Sequence, residues 1–128
     1  MKRIVEIRTY HLKPGSGSRF HDLVTNQSVP LLRQWGMDVV AFGPSVHDPD
    51  AYFLMRSYTD IKHLRFSQDA FYSTEAWRKG PRESIIELIQ SDSNAVLWLS
   101  PQAIIEIRNS HEDSLRATDP PSPRQSID

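Results

Sequence analysis

The sequence predicts an α+β domain on the ferredoxin-like plan, β-α-β-β-α-β with an antiparallel sheet. Three observations predict it. Period-two alternation recurs in separate segments along the first 108 residues. Helical three-and-four spacing fills the long intervals between them, and Pro, Gly and Asp clusters punctuate the joins. The 128 residues are also one domain's worth of chain.

Residues 3–11 alternate as a strand, with Val5, Ile7 and Thr9 on one face and Ile4, Glu6, Arg8 and Tyr10 on the other. A Pro/Gly/Ser break follows at 13–17, and Ser18 has N-cap chemistry for a helix. Phe20, Leu23, Val24, Gln27, Leu31 and Trp35 then form one helical face. Pro30 interrupts its hydrogen bonds and predicts a kink or a restart, and Gly36 suits the C-terminal stop. Residues 37–46 and 51–58 read as the second and third strands around the turn residues His47-Asp48-Pro49-Asp50. Asp60 caps a helix running to about Phe71, Ser73 or Thr74 opens a short turn through Trp77, and Pro81 starts a helix ending near Gln90. Residues 94–99 form the fourth strand, and 103–108 a fifth strand or an extended arm.

The chain divides at Arg108. From Asn109 to Asp128 only Leu115, Ala117 and Ile127 are apolar, and Pro120, Pro121 and Pro123 fall among Ser, Thr, Asp and Gln. Such a stretch buries too little surface to offset its ordering entropy. The expectation is a folded domain over 1–108 and a disordered or loosely docked tail over 109–128.

Composition excludes several functions. The absence of cysteine removes disulfide frameworks, Cys nucleophiles and Cys-ligated metal sites. A formal charge of −1 gives no general electrostatic reason to bind nucleic acid. No apolar run approaches the ~18–20 residues of a membrane span. A strand pattern starting at Arg3 leaves no secretory signal or Arg-rich leader, so the expected location is cytoplasmic.

Val39-Val40-Ala41-Phe42, Tyr52-Phe53-Leu54-Met55 and Ala95-Val96-Leu97-Trp98-Leu99 are apolar on both alternations, the mark of strands buried on both faces. Two helices cover one face only. The simplest cover for the other is a second copy of the sheet, which predicts a homodimer through that face; the alternative is a helix or loop laid over it, for which the chain has almost no residues left.

Glu6-Ile7-Arg8-Thr9-Tyr10 followed by Lys13-Pro14-Gly15 resembles the opening strand and turn of NIPSNAP-family domains. Pro30-Leu31-Leu32-Arg33 with Gly36, Leu54-Met55-Arg56-Ser57-Tyr58 with Asp60, and Phe71 with Glu75-Ala76-Trp77 are similar to later parts of that family, in the same order. The resemblance covers about residues 3–101. It implies a dimeric α+β barrel, in which two ferredoxin-like sheets close together. It carries no catalytic residue and no cofactor, because the family has no settled reaction.

The polar face of the first strand is the most informative feature. Glu6, Arg8 and Tyr10 share a side, and the same alternation on the third strand gives Tyr52, Leu54, Arg56 and Tyr58. A buried carboxylate between guanidinium groups predicts a structural ion-pair network of Glu6, Arg8 and Arg56, or an anion-recognising pocket. Arg8, Tyr10, His21, Trp35, Tyr58 and Trp77 are the candidate lining of a sheet–helix ligand pocket, with Trp98 and Tyr72 as further aromatics. The histidines are scattered without metal-ligand spacing, so no metal is expected, and the His47–Asp50 cluster reads as turn chemistry. Gly15-Ser16-Gly17 lacks the third glycine of a dinucleotide fingerprint, Phe20 standing in its place. Its N–H groups at a helix start remain able to hold a carboxylate or phosphate. The expected function is binding of a small, partly apolar molecule. A cofactor-independent monooxygenase-like enzyme on the same fold and a protein-interaction module are the alternatives.

Overall fold

The computed structural model describes residues 1–116. Strand β1 (Arg3–Leu12) leads into helix α1 (Gly17–Leu23), a π-helical turn (Val24–Ser28) and helix α2 (Val29–Trp35). The hairpin β2 (Asp38–Ser45) and β3 (Asp48–Tyr58) follows. Helices α3 (Ile61–Tyr72), α4 (Glu75–Arg78) and α5 (Arg82–Glu87) return the chain to β4 (Ile89–Leu99), and α6 (Pro101–Arg116) ends it. The sheet order is β2-β3-β1-β4 with every pairing antiparallel, so the ferredoxin-like plan holds.

Local chemistry sets the joins. The Asp60 carboxylate accepts the His63 N–H at 2.8 Å and starts α3. Thr74 Oγ1 accepts the Trp77 N–H at 3.3 Å and starts α4, which fixes where the indole points. Gly36 takes the left-handed conformation (φ 98°) that ends α2, with its N–H on the Arg33 carbonyl. The first helix begins at Gly17, ahead of Ser18, because Gly17 packs against the β2–β3 hairpin. A Cβ there would lie 1.9 Å from the Pro49 carbonyl oxygen.

The expected face of the long first helix holds as far as Val24 and then shifts by one position. Ser28 and Leu32 are buried where Gln27 and Leu31 were expected, Gln27 is exposed, and Trp35 is 45% exposed. The π turn is the cause. Its i→i+5 bonds make a wider turn that takes up one additional residue and shifts the face of everything after it. Pro30 sits just beyond, in the first turn of α2, where its missing N–H costs least.

The core between sheet and helices gathers Phe20, Leu32, Phe42, Tyr52, Leu54, Phe71, Trp77 and Ile85. The second face of the sheet differs from the sequence expectation. Residues 103–108 form no fifth strand or arm. They lie in α6, which crosses the expected boundary at Arg108 without a break and reaches Arg116. Pro101 at the helix start and the good helix formers after it favour this winding. Ile104 buries against Val5, Val40 and Ala41, with Ile107 beside it. Arg108 donates to the Val39 carbonyl at 3.1 Å and pairs with Asp38 at 2.9 Å. The chain thus supplies part of the cover itself, through the helix that is the alternative to a second copy. Beyond α6, Ile7, Phe53 and Met55 stay half-buried and Leu97 is exposed. The expected tail beyond Arg116 lies outside the described residues.

Candidate functional site

Glu6, at the middle of β1, is fully buried and points toward the helices. Arg56 stands opposite it on β3, and both are 0% exposed. Arg56 donates to Glu6 Oε1 from Nη2 at 2.6 Å and from Nε at 3.1 Å. Gln68, from α3, adds a bond to the same oxygen at 2.9 Å. Glu6 Oε2 accepts from Asn94 Nδ2 at 2.9 Å and from Arg8 Nη2 at 3.3 Å. Burial pushes the Glu6 carboxyl up, but Arg56, Gln68 and Arg8 outweigh it and hold it below the usual value. The structure therefore brings Glu6, Arg8 and Arg56 together, as the strand alternation indicates.

Beside this cluster lies a cavity of ≈ 430 Å³ between sheet and helices. Arg8 and Tyr10 of β1, Tyr52 and Leu54 of β3, and Ile89 and Asp92 of β4 form its floor. Phe20, Val24, Ser28 and Leu32 wall it from the first helix, and Tyr72, Trp77, Ile85 and Ile86 from the later ones. Arg82 completes the lining. The rings pack on one another, with Phe20 4.9 Å from Tyr52 and 5.4 Å from Tyr10, and Tyr72 5.4 Å from Trp77. Burial pushes the Tyr10 and Tyr52 phenols well up, so both stay protonated at neutral pH.

Among the expected pocket residues, Arg8, Tyr10 and Trp77 line this cavity. His21 does not line it but stands one contact behind, with Nδ1 2.6 Å from the Tyr52 hydroxyl. Tyr58 lies away from it, buried against Met37 and hydrogen-bonded by Gln68 at 3.1 Å. Its place one alternation beyond Arg56 carries it past the cavity's end. Trp35 is turned outward by the π turn and packs edge-on to Phe71. Trp98 is 56% exposed on the edge strand β4. Sequence reading missed Phe20, Arg82 and Asp92 as lining. Phe20 looked like plain core, and the two charged residues carry no periodic signal.

The other constellations are occupied structurally. Asp50 Oδ2 and Oδ1 accept the Gly15 and Gly17 N–H groups, each at 2.9 Å. The helix start does hold a carboxylate, and it belongs to the chain's own hairpin. Asp48 accepts the Asp50 N–H at 2.9 Å and His47 bonds Ser45, which leaves the turn engaged in itself. Among the described residues no group of three His, Asp or Glu is placed to hold a metal ion, and no helix is long and apolar enough to cross a membrane.

No protein-family model and no curated protein matches the sequence. Solved structures do share the fold. A NIPSNAP-like domain protein from Burkholderia xenovorans superposes with a TM-score of 0.70 at 17% identity, over 94% of this chain and 91% of that one. That span leaves out fewer residues than α6 contains. A NIPSNAP family protein of unknown function from Agrobacterium tumefaciens gives 0.70 at 17% identity, over 77% and 88%. A candidate antibiotic biosynthesis monooxygenase from Nitrosomonas europaea gives 0.57 at 16% identity, over 73% and 95%. The resemblance read from the strand and turn motifs thus holds at the level of fold.

Proposed function

We propose that this protein is a NIPSNAP-like domain that binds a small, partly apolar molecule between its sheet and helices, as a cytoplasmic homodimer. The observation that carries the reading is the cavity of ≈ 430 Å³. Ligand sites fall at about 300–1,000 Å³ and combine apolar walls with a few placed polar groups. Phe20, Leu32, Trp77 and Ile85 supply the walls, and Arg8, Ser28 and Arg82 the polar points. Native mass spectrometry of the purified protein tests it. A bound small organic molecule is expected, displaced in the cavity-filling variant Val24→Phe. A protein that carries none, and whose melting temperature answers to no apolar or amphipathic compound, would sink the reading.

The dimer rests on the second sheet face. Ile7 lies opposite Met55 on one side and Ala95 on the other, and the exposed Leu97 of β4 continues the same face. They form an apolar strip that α6 leaves open. A second copy covers it by two-fold symmetry.

A cofactor-independent oxygenase is the second reading. One observation favours it, the His21–Tyr52 contact directly behind the cavity wall. Phenols pushed up by burial are donors rather than bases, which favours binding over proton abstraction. Oxygen consumption with an added hydroquinone, lost in His21→Ala, would reverse this order.

A further inference from the structure

We propose that the ligand of this cavity is a monocarboxylic acid with an aromatic or branched aliphatic body, its carboxylate held by Arg8. The proposal rests on the cavity reading above and specifies its chemistry. The charges that line the cavity do not cancel, because Arg8 and Arg82 stand against one acid, Asp92. Glu6, behind them, is held mainly by Arg56, at 2.6 and 3.1 Å. Arg8 reaches Glu6 only at 3.3 Å, and its other ion pair, with the half-exposed Asp92, is 4.0 Å long. Arg8 Nε is buried and has no hydrogen-bond partner among the described residues. A buried N–H without an acceptor is costly and uncommon, and here it belongs to a side chain that lines the cavity.

A second observation agrees in sign. The surface groove beside the cavity shares Tyr72 and Arg82 with it and adds Arg78, Glu83 and Lys79, whose ammonium pairs with Glu75 at 3.6 Å, so that three cations meet two acids. A cationic approach raises the local concentration of anions and speeds their entry. The excess positive charge of the lining and an Arg8 guanidinium with an unsatisfied N–H match a single carboxylate, whose planar oxygens suit a guanidinium edge. Phe20, Trp77 and Ile85 set the apolar character of the remainder.

Isothermal titration of the intact protein with 4-phenylbutyrate and with the isosteric 4-phenylbutan-1-ol tests the proposal. The acid is expected to bind at least tenfold tighter than the alcohol. Arg8→Met should bring the two to equal affinity, and Arg8→Lys, which keeps the charge without Nε, should lower the acid by at least threefold. Circular dichroism checks that each variant folds, and the acid–alcohol comparison on the unaltered protein stands if one does not. Equal binding of acid and alcohol, or a preference that survives Arg8→Met, overturns the carboxylate and leaves the cavity reading intact. Failure of both compounds to bind overturns the carboxylate and the cavity reading together.

Discussion

The Glu6 carboxylate and the Arg56 guanidinium meet at 2.6 Å with neither side chain exposed to water. Removing one partner of such a pair leaves the other charged and buried. Arg56→Met is therefore expected to lower stability by ~3–5 kcal/mol. Gln68 and Asn94 would still bond the stranded carboxylate, which keeps the loss finite. Urea unfolding of Arg56→Met, Glu6→Gln and the double variant measures it. The double loss should fall short of the sum, because the two residues share one network.

The same carboxylate sets an acid limit. Its value in the fold lies below the usual 4.5. The unfolded chain therefore binds the proton first, and the contribution is complete above 4.5. It is lost as the pH falls through the lower, folded value. Unfolding midpoints followed from neutral pH downward should drop across that window. In Glu6→Gln the drop should be shallower, and equal slopes would remove Glu6 as the cause.

Gly17 is held to its type by the Pro49 carbonyl oxygen, which lies 1.9 Å from where a Cβ would stand. Gly17→Ala should cost ~1–3 kcal/mol, the range of forced overpacking. Gly15, at φ 81° with open space around it, should lose only the ~1–2 kcal/mol of a left-handed backbone. Thermal unfolding of the two single variants ranks them.

His111 joins α6 to the edge of the sheet. The Phe42 N–H donates to its Nε2 at 3.4 Å, and its ring packs on Phe42 and Phe53. Burial pushes its value below the usual 6.5, with Arg33 and His21 acting the same way and Glu112 opposing. The fold favours the neutral ring, so this stabilisation is present above 6.5 and lost as the pH falls through the folded value. Hydrogen exchange should show α6 amides less protected at acid pH than at pH ~7.5, after correction for intrinsic rates. His111→Phe should flatten that difference.

Leu97, exposed on the second sheet face, is the most direct probe of self-association. Light scattering at micromolar concentration should give a dimer for the unaltered chain and a monomer for Leu97→Asp. A monomer in both would remove the homodimer.

Periodicity made the sheet legible because each strand carries its own alternation, and Glu6, Arg8, Tyr10 and Arg56 inherit their common side from it. Asp60 and Gly36 were legible because a single side chain, or its absence, ends a helix. Trp35 and α6 were not. Trp35 depends on a change of helical pitch that no residue between Val24 and Ser28 announces. The polar appearance of α6 reflects a helix touching the sheet along a narrow stripe, through Ile104, Ile107 and His111. Arg82 and Asp92 are charged residues on different elements, and only the closed fold brings them to one cavity.

The π turn has a consequence for comparing this chain with others. A helix wound regularly from Gly17 to Trp35 would reach the same end with one residue fewer. Deleting a single residue within 25–27 should thus leave Gly36 able to stop the helix and keep Ser28 and Leu32 facing inward, because the deletion cancels the one-residue shift that the turn absorbs. Relatives that differ by a one-residue gap at this point are expected to keep the corresponding side chains on the cavity wall and to differ in the turn itself.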